Sequence, residues 1–149
     1  MDRAAAFTKS LGIEIDVPRA DYGRVIDGDA LSAIDFCARA WSHEIGIERY
    51  ALDPIGVNVA LKKTLEAVLG TDLVLTLGYI QLATGEPFPF FCTEQHFSDW
   101  LSGASTLEKL RFHGWLSAST DEVIDLTFKS QVSIICHDDA PATSAWLRT

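Results

Sequence analysis

The chain has 149 residues, 48% of them hydrophobic, and its 21 acidic against 12 basic side chains give a net charge of −9. That length suits a single domain over residues 1–149 with its own buried core, and the acidic balance, with no Lys/Arg stripe, argues against nucleic acid and against anionic lipid as partners. Three scattered cysteines, Cys37, Cys92 and Cys136, suit free thiols in a reducing compartment, no apolar stretch precedes Lys9 as a secretory signal would, and the expected location is the cytoplasm.

In chain order, residues 1–24 read as a short helix followed by an irregular arm broken by Gly12 and Pro18. From Asp29, the residues Leu31, Ile34, Ala38 and Trp41 recur at helical spacing, and Gly46 is a fitting C-terminal cap. Asp53-Pro54 announces a second helix, an N-cap followed by proline at the first helical position; it runs to Gly70 with Val57, Leu61, Leu65, Val68 and Leu69 on its apolar face. Leu73 to Leu82 reads as a largely buried strand, and at ten residues it falls short of the roughly 20 that a spanning helix needs. Glu86-Pro87-Phe88-Pro89 reads as a loop and Thr93 to Leu101 as a short helix.

The last third reads as three strands, Leu110 to Ala118, Glu122 to Phe128 and Val132 to Cys136, joined by short polar loops into an antiparallel meander. Helices first and a sheet late predict an α+β fold with N-terminal helices packed on an antiparallel sheet. The meander leaves an edge strand that a second copy of the chain can pair with, so a homodimer is an expected assembly.

Alternation along Phe112-His113-Gly114-Trp115-Leu116 places Arg111, His113 and Trp115 on one face, and Asp125 is a carboxylate embedded in the otherwise apolar strand Val123-Ile124-Asp125-Leu126-Thr127. A hairpin centred on Ser119 sets His113 directly opposite Asp125, with Cβ atoms about 5 Å apart. Such a pair suits a thiol or hydroxyl enzyme: the carboxylate orients the imidazole, and the imidazole takes the nucleophile's proton. A purely structural polar bridge fits the same spacing.

His113-Gly114-Trp115-Leu116 followed by Val123-Ile124-Asp125-Leu126-Thr127 resembles the His-x-Trp and downstream Asp of transglutaminase-like proteins, a branch of the papain-like cysteine enzymes. The resemblance covers roughly residues 53–130. It implies a papain/transglutaminase-like core over that span, in which a helix, a strand ending in Gly78-Tyr79, a His strand and an Asp strand follow one another. It also implies a cysteine near the start of the helix, where the dipole and the imidazole lower a thiol's pKa. This chain has Ile55-Gly56-Val57-Asn58-Val59 there, so Asn58 is the candidate occupant of the nucleophile's slot.

Among the thiols, Cys37 sits well inside the first helix and reads as structural. Cys92, four residues before His96, is the candidate substitute nucleophile. Cys136-His137-Asp138-Asp139 lacks the spacing of a metal site. Trp115 and Tyr79 are the candidate substrate-binding residues, and neither a metal nor another cofactor is expected. Two functions follow from the resemblance: a thiol-dependent amide hydrolase or acyltransferase acting on a small-molecule or peptide substrate, and a catalytically inactive relative that binds a small molecule or protein.

Overall fold

The computed structural model describes residues 2–16, 23–79, 93–104, 112–136 and 146–148. Its elements in chain order are α1 (Asp2–Ser10), α2 (Gly28–Ile45), α3 (Ile47–Leu52), α4 (Pro54–Leu69), β1 (Leu73–Gly78), α5 (Glu94–Leu101), β2 (His113–Ala118), β3 (Val123–Asp125), α6 (Phe128–Cys136) and β4 (Trp146–Arg148). The architecture is mixed α+β. The four strands form one antiparallel sheet in the order β1-β2-β3-β4.

α4 begins and ends for the reasons its sequence announces. The Asp53 side chain accepts the Gly56 N–H, Pro54 stands in the first turn where its missing N–H is no loss, and Gly70 closes the helix in the left-handed region at φ 63°. Val57, Leu61 and Leu65 are buried and Leu69 is partly so, whereas Val68 is exposed. α4 lies across β1 and β2 and against α2, whose Ile34 and Ala38 are fully buried. The core formed there also takes in Ile26, Tyr50, Leu73, Leu116, Ala118, Ile124 and Leu126. Leu31, expected on the inward face of α2, is exposed, and Trp41 is half-buried at the core's margin.

Gly114 lets α4 approach the sheet. A Cβ there would stand 3.4 Å from the Ile55 side chain and 3.6 Å from the Ile55 Cα, ordinary contact distances that show how closely the helix start lies on β2.

Three expectations need correcting. Val132 to Cys136 is not a strand: it is the second half of α6. A short apolar run cannot be assigned by periodicity alone, and here the capping chemistry upstream at Asp125 favours the helix. The strand expected over Glu122 to Phe128 is cut to Val123–Asp125, because Phe128 already starts α6. The strand partner that the meander needed is supplied instead by β4, which pairs with β3. α3, which adds Tyr50 and Ala51 to the interior, was not foreseen. The expected strand residues 80–82, the 86–89 loop and residues 110–111 lie outside the described residues.

The β2–β3 hairpin turns through Ser119, Thr120 and Asp121. Ala118 N–H donates to Glu122 O at 2.9 Å, Asp121 N–H to Ala118 O at 3.1 Å, and Asp121 adopts φ 64°. This is a three-residue turn closing on a left-handed residue, a conformation that Asp tolerates better than most side chains. No described helix is long and apolar enough to cross a membrane.

Candidate functional site

His113 opens β2 and Asp125 closes β3, so the antiparallel hairpin brings them to the same end of the sheet. The register pairs Leu116 with Ile124 and Ser117 with Val123. Continued outwards, it sets Asp125 beside Trp115, and His113 is its diagonal neighbour. The expected direct opposition is therefore corrected by two residues, because the hairpin is centred on Thr120 and not on Ser119. A shift of two keeps every side chain on its own face, whereas a shift of one would have separated the pair.

The pair meets. His113 Nε2 and Asp125 Oδ2 are 2.5 Å apart, and the two residues are 1% and 5% exposed. With a carboxylate as acceptor, the imidazole donates this bond from Nε2. Phe128 stands edge-on to the imidazole with centroids 6.4 Å apart, and Trp115 lies tilted to it at 6.0 Å.

Asp125 has a second task. Its Oδ1 accepts the N–H of Thr127 at 3.2 Å and of Phe128 at 3.0 Å, so one carboxylate both caps the start of α6 and holds the imidazole. The orphan amides and the dipole at that helix end favour a negative charge there. Tyr50, fully buried on α3, donates to Leu126 O at 2.6 Å. Its hydroxyl is held far above the usual phenol range, first by burial and then by the carboxylates of Asp125 and Asp35, so it remains a neutral donor. Gln131 on α6 donates through Nε2 to Ala51 O at 2.9 Å.

Asn58 is wholly buried on α4, where its Nδ2 donates to Pro54 O at 2.6 Å and to Gly114 O at 2.9 Å. The amide thereby ties the first turns of α4 to the residue that follows His113. Its Oδ1 is buried without a hydrogen-bond partner among the described residues. Both of its hydrogen bonds run to backbone carbonyls, and none to the His113 ring.

Trp115 covers β1: a Cβ on Gly78 would stand 2.5 Å from the indole Cη2, so only glycine fits beneath the ring. Gly78 is the register partner of His113, which puts Tyr79, partly exposed, just beyond that pair. Cys37 is half-buried in α2 and packs against the core. Cys92 lies outside the described residues, and of Cys136 only the backbone, at the end of α6, is described. His96 is committed elsewhere: its Nδ1 accepts the Thr93 N–H at 3.1 Å while Thr93 Oγ1 accepts the His96 N–H, a reciprocal cap at the start of α5. α5 reaches the site through aromatic packing, with Phe97 stacked on Phe112 at 4.2 Å, next to His113. Among the described residues no group of three or more His, Cys, Asp and Glu converges as metal ligands do.

The sequence reading missed Tyr50 and Gln131. A signal for the turn that they support was present: Asp125 and Thr127, three residues and one before the start of α6 at Phe128, are residue types that favour a helix N-terminus. Comparison with protein-family models, curated proteins and solved structures finds no match to this chain.

Proposed function

We propose that the chain is a papain-like-fold protein of the transglutaminase-like branch that keeps the imidazole–carboxylate pair of a thiol enzyme without its thiol, and that it works as a binding module for a small molecule or a protein. The observation that carries this reading is Asn58, at the helix position where the resemblance calls for a cysteine. Its amide is spent on backbone carbonyls that lock α4 to the His113 strand. An amide so engaged is a structural clamp and forms no acyl intermediate. The order α4, β1 ending at Gly78, His113, Asp125 and the buried contact between the last two support the fold assignment.

A second reading is favoured by one observation. Cys92 directly precedes Thr93, the N-cap of the helix whose Phe97 stacks beside His113. In that reading Cys92 attacks an amide carbonyl, His113 takes the thiol proton and returns it to the departing amine, Asp125 orients the ring, and Trp115 and Tyr79 line the substrate. Water or an acceptor amine then releases the acyl group from the thioester.

Alkylation kinetics separate the two. Iodoacetamide labelling across pH 5 to 9, followed by peptide mapping, is expected to find no thiol whose rate changes in His113→Gln. A Cys92 that is alkylated fast near neutrality and slows at least tenfold in His113→Gln would overturn the binding-module reading in favour of the enzyme. Thermal-shift titration with small-molecule and peptide libraries then identifies what the module holds.

A further inference from the structure

The His113–Asp125 contact depends on where the turn after β3 is held. Asp125 ends β3, Leu126 and Thr127 link it to α6, and Asp125 Oδ1 accepts the Thr127 and Phe128 amides at the far side of that turn. Nothing in those two hydrogen bonds sets how far the turn sits from β2. Pairing of β3 with β2 and of Asp125 with Trp146 places the strand end, and beyond it α3 holds the turn: the Tyr50 hydroxyl donates to the Leu126 carbonyl at 2.6 Å, and Gln131, whose own N–H donates to Thr127 O, reaches back to Ala51 O. Tyr50, Ala51, Leu126, Thr127 and Gln131 are all fully buried, so no solvent exchange competes with these bonds.

We propose that Tyr50 is a positioning residue for the His113–Asp125 pair: its hydroxyl, bonded to the Leu126 carbonyl, holds the turn that aims Asp125 Oδ2 at His113 Nε2. Gln131 seconds it from α6. The phenol touches neither ring nor carboxylate oxygen in a hydrogen bond, so it acts through the backbone. It rests on the reading of His113 and Asp125 as a retained functional pair, and it extends that pair's support to α3. The consequence is chemical. A carboxylate on Nε2 selects one imidazole tautomer, and a turn that wanders by an ångström ceases to select it.

The test reads the tautomer directly. In protein labelled with 15N-histidine, the signal that disappears in His113→Gln belongs to His113, and the wild type is expected to show its Nε2 protonated and its Nδ1 pyridine-like. Tyr50→Phe, which keeps the ring and removes the hydroxyl, is expected to draw the two nitrogen shifts together as both tautomers populate, and to speed amide exchange of Thr127 and Phe128 at least tenfold. Val57→Ala, a buried change away from the turn, is the control: it lowers stability and leaves the tautomer alone. If Tyr50→Phe loses stability and the His113 shifts do not move, the positioning role is overturned. Should Tyr50→Phe not fold, Gln131→Met carries the same test in the same direction, and an unmoved tautomer there overturns the proposal equally. Failure of the underlying reading looks different: the wild-type His113 shifts would then not respond to Asp125→Asn.

Discussion

Asp125 is the diagonal neighbour of His113 across the hairpin, yet its Oδ2 closes to 2.5 Å of the imidazole Nε2 while its Oδ1 caps α6. One side chain thus joins β2, β3 and α6, and its removal leaves an imidazole N–H and two helix amides without an acceptor.

Asp125→Ala is accordingly expected to destabilise the protein by about 3–5 kcal/mol, the range for breaking a buried, hydrogen-bonded polar pair. Asp125→Asn, which keeps an acceptor for the α6 amides, is expected to lose about half as much. Urea denaturation followed by far-UV circular dichroism measures both. Equal losses would mean that a neutral acceptor contributes nothing and that the charge carries the whole effect.

Asn58→Asp puts a carboxylate into a fully buried position facing two carbonyl oxygens. The expected loss at pH 7 is about 3 kcal/mol or more, partly regained at low pH as the group takes up a proton. Asn58→Ala is expected to lose about 1–3 kcal/mol, since it strands Gly114 O. A thermal melt of Asn58→Asp that does not improve between pH 7 and pH 4.5 would show that water reaches this place.

Glu122 gives a pH dependence whose sign can be worked out. Burial pushes its carboxyl up, but the hydrogen bonds from Thr120 and from the Val25 and Ile26 amides, with Arg24 nearby, outweigh it and hold the group below the ordinary value of 4.5. A folded-state pKa below the unfolded one means that the folded state binds fewer protons, so this stabilisation is complete above the unfolded value and is lost as pH falls through the folded one. Stability is expected to fall on acidification below about pH 4.5, with a shallower slope in Glu122→Gln, whose neutral-pH stability is lower by about 1–3 kcal/mol. Parallel slopes in the two proteins would assign the acid sensitivity to other carboxylates. Glu66, also held low through Lys62 and the Leu73 amide, is the first of these.

Gly78→Ala forces a methyl group to within 2.5 Å of the Trp115 indole unless the ring moves. The expected loss is about 1–3 kcal/mol, the ordinary range for overpacking. A changed near-UV circular dichroism spectrum with an intact far-UV one is the signature, and an unchanged near-UV spectrum would show that Trp115 does not rest on β1.

How far the sequence discloses this fold depends on whether the signal is local. Asp53-Pro54 and Gly70 bound α4 because capping is chemistry between neighbours, and Gly46 ends α2 for the same reason. Thr93 to Leu101 was legible on the same terms. Val132 to Cys136 was not: its five residues carry both periods, and the decision is made upstream by Asp125, whose side chain serves the helix amides. The shared face of His113 and Asp125 was legible because strand parity has a period of two. Their register was not, because it hangs on the left-handed conformation of Asp121, one of several ways to turn that corner. Tyr50 was hidden altogether, because a buried tyrosine declares its hydrogen-bond partner only once α3 has met the turn that leads into α6.

Glu122 also fixes an order of events. Its bond to the Val25 amide joins positions 97 apart in the chain, whereas α2, α3 and α4 follow one another directly in sequence. Closing so long a loop is entropically slow but not prohibitive, since each doubling of loop length adds only about 0.6 kcal/mol. The hairpin tip must already exist before it can grip residues 25 and 26, so these bonds form only after the hairpin has closed, and the segment leading into α2 is expected to loosen when the tip does. Limited proteolysis under mildly destabilising conditions would then cut ahead of Asp27 while α4 and the rest of the hairpin still hold, leaving the core as the durable fragment.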